Sequence, residues 1–429
     1  MTTAPIIPVE LIAPMFNPQT FASPKRVDEI MSVIRRDYPL AVAEVPGYDR
    51  HWIVSKWSDL REISRQDEIF RSNENSKTLV THAGQEMIRD FTGGKPNFLQ
   101  TLVQMDPPEH PAYRAVTAPL FTPQAVAQRE GFVRELAKKY VDKFLASGPT
   151  LDFAKNIAFE YPLEVILTVA GVPREDHAHI LQLAQWFFNY VDPDLRRPDS
   201  NPEDPEQVVK TWRMVLKFYE EYAEKITSER RSCPRDDVAT ILANAKIDGC
   251  PMSNGALASY FLILGTAGHD TTAATTAMSM WVLAERPELL ARLKSNPDDL
   301  PKFIEEAIRW TCPVKHFIRT AARDYELRGQ TIKKGDRLYL SYISANRDEE
   351  VFENPFTFDI DRQNNRQQVG FGYGGHTCLG QHFARLEMRK FWEELLPRLK
   401  SVTLAGVPTV GMSELVAGPK YVPVTFEAE

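Results

Sequence analysis

A mainly α-helical fold with small β-sheets, in one large unit, is what this sequence predicts. Three observations lead there. Helical character dominates six stretches, at 129–145, 161–170, 205–230, 255–285, 301–310 and 379–396. Alternating strand signals are confined to short runs beside turn residues. No internal repeat, low-complexity tract or clear linker divides the 429 residues, so residues 1–429 read as a single domain.

Taken in order, residues 1–25 read as an extended N-terminal segment, punctuated by Pro5, Pro8 and Pro14. AVAEV and HWIVS alternate around PGYD at 41–56, the pattern of a hairpin. Asp106-Pro107-Pro108-Glu109 resembles a helix start, with Asp106 as N-cap, proline at the first position and a capping glutamate. The acidic, proline-rich stretch 192–206 reads as a mobile surface crossing. Residues 255–285 lack proline until Pro287 and predict one helix of roughly 45 Å. The 301–310 helix opens near Pro301 and stops before Pro313. A second hairpin is expected over 325–342, with turns at Arg328-Gly329 and Lys334-Gly335-Asp336. In 379–396, Leu379, Phe383 and Leu386, then Trp392, Leu395 and Leu396, mark one buried face. Short strands are expected from Val402 on.

The chain carries 43% hydrophobic and 25% charged residues, ordinary for a globular protein with a full core. A net charge of -7, from 51 basic and 58 acidic residues, argues against nucleic acid and anionic lipid as partners. The N-terminus has no charged region leading into an apolar run. The longest apolar stretch, 256–267, falls short of the about 20 residues a membrane span needs. A cytosolic protein, without membrane contact and monomeric, is expected. The four cysteines, 233, 250, 312 and 378, form no C-x-x-C pair and suit neither a zinc site nor a disulfide framework.

One of them stands apart. In FGYGGHTCLGQHFARLEM, Cys378 ends a glycine-loosened loop and precedes an amphipathic helix. It could be a nucleophile, a metal ligand, a redox thiol or the axial ligand of a haem. Gly370, Gly372, Gly374 and Gly375 allow tight turns and close approach to something flat. The following helix start favours a thiolate. One thiolate alone cannot close a zinc site, but it can be the proximal ligand of haem iron. A hydrolase pairing Cys378 with His376 is weaker, because neighbours two apart seldom reach nucleophile–base geometry.

Two further segments break local rules. Thr266-Ala267-Gly268-His269-Asp270-Thr271-Thr272 puts glycine, aspartate and threonines inside a helical stretch. A threonine hydroxyl there can divert a backbone carbonyl and open the ladder, and Gly268 would leave room above a flat cofactor. His269 is expected on another face, satisfied by ordinary hydrogen bonds. Glu306 and Arg309 are i,i+3 neighbours, a pair that contributes only about 0.2–0.5 kcal/mol when exposed.

Phe371-x-x-Gly374-x-His376-x-Cys378-x-Gly380 matches the haem-binding signature of the cytochromes P450 at every defining position. The chain is identified as resembling that family over nearly its whole length. It is especially similar to the bacterial α-terpineol-hydroxylating branch, through MDPPEHPAYR, RRSCPRDDVATILANAKIDG, TAGHDTT, EEAIRWTCPVKHFIRTA, LSYISANRDEEVF and GQHFARLEM. The resemblance implies the cytochrome P450 fold and a haem b monooxygenase acting with O₂ and electrons from a ferredoxin and its reductase. It implies Cys378 as the iron ligand, Thr271 as the alcohol that bonds iron-bound oxygen, and Asp270 as the acid that relays protons. His110, Arg114, Arg319 and His376 would hold the haem propionates, with His110 disturbed by the adjacent Pro111. Phe371, Gly268 and Gly380 would border the haem. Glu306, Arg309 and Arg362 would form a buried structural network. Leu264, Ala267, Val314 and Phe317 would line the substrate pocket, roofed by 77–102 and 186–190. Their apolar character implies a compact substrate, a monoterpenoid or aromatic hydrocarbon. Lys138, Lys139, Arg385, Arg389 and Lys390 would offer the ferredoxin a basic patch. The alternatives are a peroxygenase or a haem-dependent sensor, neither of which needs the Asp270–Thr271 pair.

Overall fold

The computed structural model describes residues 4–429. The segment read as extended is instead wound into short turns, Val9–Ile12, Ala13–Phe16 and Pro18–Ala22. Pro14 and Pro18 stand at the first positions of their turns, where no N–H is missed. Ile7, Ile12, Met15, Phe16 and Phe21 are buried against the sheet.

After helix α1 (Pro24–Asp37), strands β1 (Leu40–Ala43) and β2 (His51–Val54) form the expected hairpin. Helix α2 (Trp57–Ser64) and the short β3 (Phe70–Arg71) follow. Helices α3 (Glu109–Thr117), α4 (Glu130–Ala146), α5 (Glu160–Ala170) and α6 (Pro205–Ser232) come next. The stretch 255–285 is two helices, not one: α7 (Asn254–Ala267) and α8 (Asp270–Glu285). Helix α9 (Leu300–Thr311) ends at Cys312, whose φ of 36° turns the chain ahead of Pro313. Strands β4 (His316–Ala321) and β5 (Arg337–Ser341) precede α10 (Gln381–Leu395).

The main sheet runs β1-β2-β5-β4-β3. The parallel pairing of β2 with β5 joins segments far apart in sequence. Both strands are almost wholly buried, with cover on both faces. The expected hairpin over 325–342 is shorter: Tyr325–Leu327 pairs with Gln330–Ile332 across Arg328-Gly329. The second turn feeds β5, which pairs with β4 and β2 instead. Near the C-terminus, Leu399–Leu404 pairs with Pro423–Ala428, which also takes Thr150–Asp152.

Two apolar cores result. One fills the space between the helices and includes Phe144, Tyr161, Phe303, Phe391 and Trp392. The other lies on the sheet and includes Trp52, Leu338, Leu340 and Cys312. Residues of both line the hollow described below, so it sits where they meet. Among the described residues no helix is long and apolar enough to cross a membrane.

Candidate active site

Cys378 lies between the turn Gly374–His376 and α10. Its N–H donates to the Phe371 carbonyl at 2.8 Å, closing the loop. Gly374 makes the loop possible: its φ is +74°, and a Cβ there would lie 1.8 Å from the Ser64 carbonyl oxygen of α2. Cys378 is exposed toward a hollow of about 270 Å³ and otherwise enclosed by protein. Against expectation, burial pushes the Cys378 thiol up. The N–H groups of Gly380 and Gln381 and the guanidiniums of Arg114 and Arg385 oppose that rise.

Among the described residues, a buried ion network on α9 reaches the start of the loop only through Asn346, whose carbonyl accepts from Arg309 and whose side chain accepts the Val369 N–H. Glu306 and Arg309 are both fully buried, joined by two hydrogen bonds of 2.6 and 2.8 Å. Arg309 also donates to the carbonyls of Asn346, Pro355 and Thr357. Arg362 completes the trio as an ion contact, its Nε 3.4 Å from Glu306 Oε2. Its other nitrogens donate to the carbonyls of Glu353, Asn354 and Thr357. Burial and these carbonyls turn a pair of little worth on a surface into a fixed joint.

At one end of the hollow, cationic and imidazole groups converge; Asp67 and Asp106 stand near Arg319 and Lys77 but form no ion pair with them among the described residues. His110 stacks on His376 at 4.1 Å between ring centroids. The Nε2 atoms of both, and Nε and Nη1 of Arg319, are buried without a partner. Arg114 donates to the Thr377 carbonyl at 2.8 Å. Pro111 does not disturb His110, because it falls in the first turn of α3, where its missing N–H is not needed. Burial lowers the His110 pKa to about 4, and Arg114 and Arg319 add to the effect. Burial also holds His376 far below the usual imidazole range, with Arg319 and Lys77 beside it.

Lys77 was not foreseen. It is fully enclosed, donates to Ser72 Oγ at 2.9 Å and borders the hollow, with its pKa pushed well down by burial and by Arg319. Glu387 was missed too; it also borders the hollow, and burial pushes its carboxyl well up. Lys77 opens the stretch expected as a roof and Glu387 lies within GQHFARLEM, but neither was given a role of its own. Asp106 was misassigned: its carboxylate accepts from the N–H groups of Ser72 and Asn73 and does not cap α3.

On the opposite wall, α7 and α8 meet at Gly268 and His269. The Thr271 hydroxyl donates to the Ala267 carbonyl at 3.0 Å, diverting a backbone acceptor at the break. Thr271 borders the hollow; Asp270 does not. Gly268 does border it, but its missing side chain makes room for Ile166 of α5: a Cβ there would lie 2.5 Å from Ile166 Cγ1. Leu264, Ala267, Val314 and Phe317 all line the hollow, joined by Leu102 and Val103. Residues 186–190 do not; Phe187 and Tyr190 pack against Trp212.

The expected basic patch is neutralised within the protein. Lys138 pairs with Asp142, Lys139 with Glu164 and Arg385 with Glu305. Arg389 and Lys390 both pair with Glu130 and Glu393, and Lys390 is buried. By contrast, Arg61 and Arg65 of α2 and its edge donate to the Tyr373 hydroxyl in the cysteine loop, at 2.5 and 2.6 Å.

A lone thiol facing an apolar hollow, with buried, unpartnered nitrogens of His110, His376 and Arg319 at one end, fits a flat apolar group carrying carboxylates. The chain belongs to the cytochrome P450 family, whose model matches residues 82–414. It is 41% identical to cytochrome P450-terp of a Pseudomonas species, over 98% of each chain. It is 34% identical to the steroid C26-monooxygenase of Rhodococcus jostii, over 90% of this chain and 78% of that one. The crystal structure of CYP108D1 from Novosphingobium aromaticivorans superposes with a TM-score of 0.91 at 37% identity, covering 99% of this chain and 100% of that one. The protein is thus a haem b monooxygenase with the P450 fold.

Proposed function

We propose that this monooxygenase hydroxylates a compact apolar substrate, a monoterpenoid or a small aromatic hydrocarbon, with O₂ and electrons from a ferredoxin. The observation that carries the reading is the hollow itself: about 270 Å³, apolar at Leu264, Ala267, Val314 and Phe317, with Cys378 and Thr271 on its walls. The name of the Pseudomonas relative, P450-terp, points the same way.

In this reading Cys378 would be the thiolate ligand, and Phe371 and Gly380 would border the haem. His110, Arg114, Arg319 and His376 would hold its carboxylates, and Lys77 would add a fifth donor. Haem, once bound, supplies the reductive splitting of O₂ and the transfer of one oxygen atom to a C–H bond. The chain's own residues do the rest. Apolar side chains exclude water and present the substrate. Thr271 borders the hollow, and its hydroxyl passes a proton inward on leaving the Ala267 carbonyl to which it donates. Asp270 supplies that proton from the side nearer solvent. Glu306, Arg309 and Arg362 keep the cysteine loop in register. The ferredoxin docks beside Tyr373, where Arg61 and Arg65 have no carboxylate partner among the described residues.

The test is a titration of purified ferric holoenzyme with α-terpineol, other monoterpenoids, small arenes, steroids and branched fatty acids, followed by the haem spin-state shift. Monoterpenoids or arenes should give the largest shift at the lowest concentration. A response confined to steroids or long-chain lipids would overturn the substrate class.

A further inference from the structure

His269 was expected on another face, satisfied by ordinary hydrogen bonds; it does lie off the hollow with its ring satisfied, but one of its partners is Asp270. Its side chain is 1% exposed, and both ring nitrogens are engaged. Nε2 lies 2.7 Å from the Phe159 carbonyl oxygen and Nδ1 lies 2.8 Å from Asp270 Oδ1. The Phe159 ring tilts against the imidazole at 5.8 Å. The side chain makes no capping bond to α8, although His269 occupies the N-cap position. Helix capping therefore does not account for it.

The two contacts fix the protons. A carbonyl oxygen only accepts, so Nε2 carries a hydrogen. A neutral ring would then turn the bare Nδ1 lone pair toward a carboxylate lone pair at hydrogen-bond distance, which is repulsive. One proton must lie between Nδ1 and Oδ1. Imidazole is intrinsically the more basic of the two groups. Asp270 stands in the first turn of α8, where the helix terminus favours a carboxylate. The proton belongs on Nδ1.

Location adds the second half of the argument. Thr271 borders the hollow and Asp270, its neighbour, does not. The Asp270 side chain is 21% exposed, whereas that of His269 is shut in. Resting on the reading of Asp270 as the proton-relaying acid, we propose that His269, as an imidazolium, latches the Asp270 carboxylate outside the hollow and holds one proton in reserve for it. Transfer from Nδ1 to Oδ1 leaves a neutral imidazole still bonded to Phe159 through Nε2–H. It also frees a carboxylic acid to turn toward Thr271. Once that acid has released its proton inward, Asp270, the more exposed partner, takes up another from solvent and the pair recharges. His269 is thus a positioning residue that acts through Asp270.

Two measurements on the holoenzyme test this. The first needs no substitution at 269: ¹⁵N-histidine NMR of the diamagnetic ferrous–CO form at pH 7, with and without Asp270→Asn. One histidine should show both ring nitrogens protonated and should lose the Nδ1 proton in Asp270→Asn, whose amide can donate to Nδ1. If no histidine responds in this way, the proposal is overturned.

The second is turnover of α-terpineol with a surrogate [2Fe–2S] ferredoxin and reductase. His269→Gln retains a donor for the Phe159 carbonyl but has no proton to give Asp270. It should slow turnover about tenfold and enlarge the solvent isotope effect, leaving haem content and the α-terpineol spin shift unchanged. An unaltered rate and isotope effect in His269→Gln, with Asp270→Asn impaired, would refute the latch and leave the Asp270 reading intact. Unimpaired turnover in Asp270→Asn would remove both.

Discussion

Glu306→Gln isolates what burial does to a carboxylate–arginine pair. The substitution keeps the side chain's shape and one carbonyl oxygen for the Asp359 N–H, now bonded at 2.9 Å. It removes the charge between the Arg309 and Arg362 guanidiniums and turns an amide N–H₂ toward their donors. All three side chains are at most 4% exposed, so water cannot compensate. Removing one partner of such a pair costs about 3–5 kcal/mol. The protein contains its own control. Arg26 and Glu29 have the same i,i+3 spacing on α1, at 3.5 Å, with side chains 57% and 51% exposed. Glu29→Gln should cost no more than about 0.5 kcal/mol. Urea unfolding at equal haem loading, followed by far-UV circular dichroism and by the Soret band, compares the two. Glu306→Gln should lower the midpoint and release haem together with the fold, because Arg309 is tied through Asn346 to the chain entering the cysteine loop. Variants within about 1 kcal/mol of each other would refute the account of the network.

The remaining predictions concern the cation cluster and the buried imidazoles. Arg319→Met removes a buried guanidinium with two unpartnered nitrogens and should weaken haem binding about 10- to 100-fold, as expected for losing about 1.5–3 kcal/mol of charged hydrogen bonding. Haem transfer to a scavenger protein measures it, and an unchanged release rate would contradict the assignment. His316 and His51 give a pH signature. Burial lowers their pKa values to about 3 and about 4, and His316 Nε2 already accepts the Leu79 N–H. The unfolded chain takes up protons near pH 6.5 that the native state refuses, so stability is full above that pH and is lost as pH falls toward 4. Each group contributes about 1.4 kcal/mol per pH unit within that window. His316→Gln should flatten the dependence, and an unchanged slope would show that His316 is not responsible.

The site was legible where the sequence breaks its own local rules. Glycines crowded ahead of Cys378, an aspartate and threonines inside a helical stretch, and the E-x-x-R spacing all stand out against ordinary propensity. Residues whose roles depend on distant partners did not stand out. Gly268 was assigned to the cofactor and does border the hollow, but the space its missing Cβ leaves is taken by Ile166 of another helix. Asp106 has the look of an N-cap, but its carboxylate serves the backbone of Ser72 and Asn73. Lys77 and Glu387 carry no local signal of a role of their own, and only the fold brings them to the hollow. The break between α7 and α8 had a signal in Gly268 and Thr271, but its place depends on Phe159 and Ile166 packing from α5 and its edge. Among the strands, the parallel β2–β5 pairing is invisible to local periodicity, because it joins segments nearly 300 residues apart. The basic patch failed for a related reason: charges counted along the sequence cannot reveal that Glu130, Asp142, Glu164 and Glu393 face them.

The most direct test of the central claim is the optical spectrum of the ferrous–CO complex in the unaltered protein and in Cys378→Ala. Reconstituted with haem b, the unaltered protein should show the red-shifted Soret band of a thiolate-ligated iron, and Cys378→Ala should lose it. A thiolate-type band that survives the substitution, or never appears in the unaltered protein, would contradict the assignment of Cys378 as the iron's ligand.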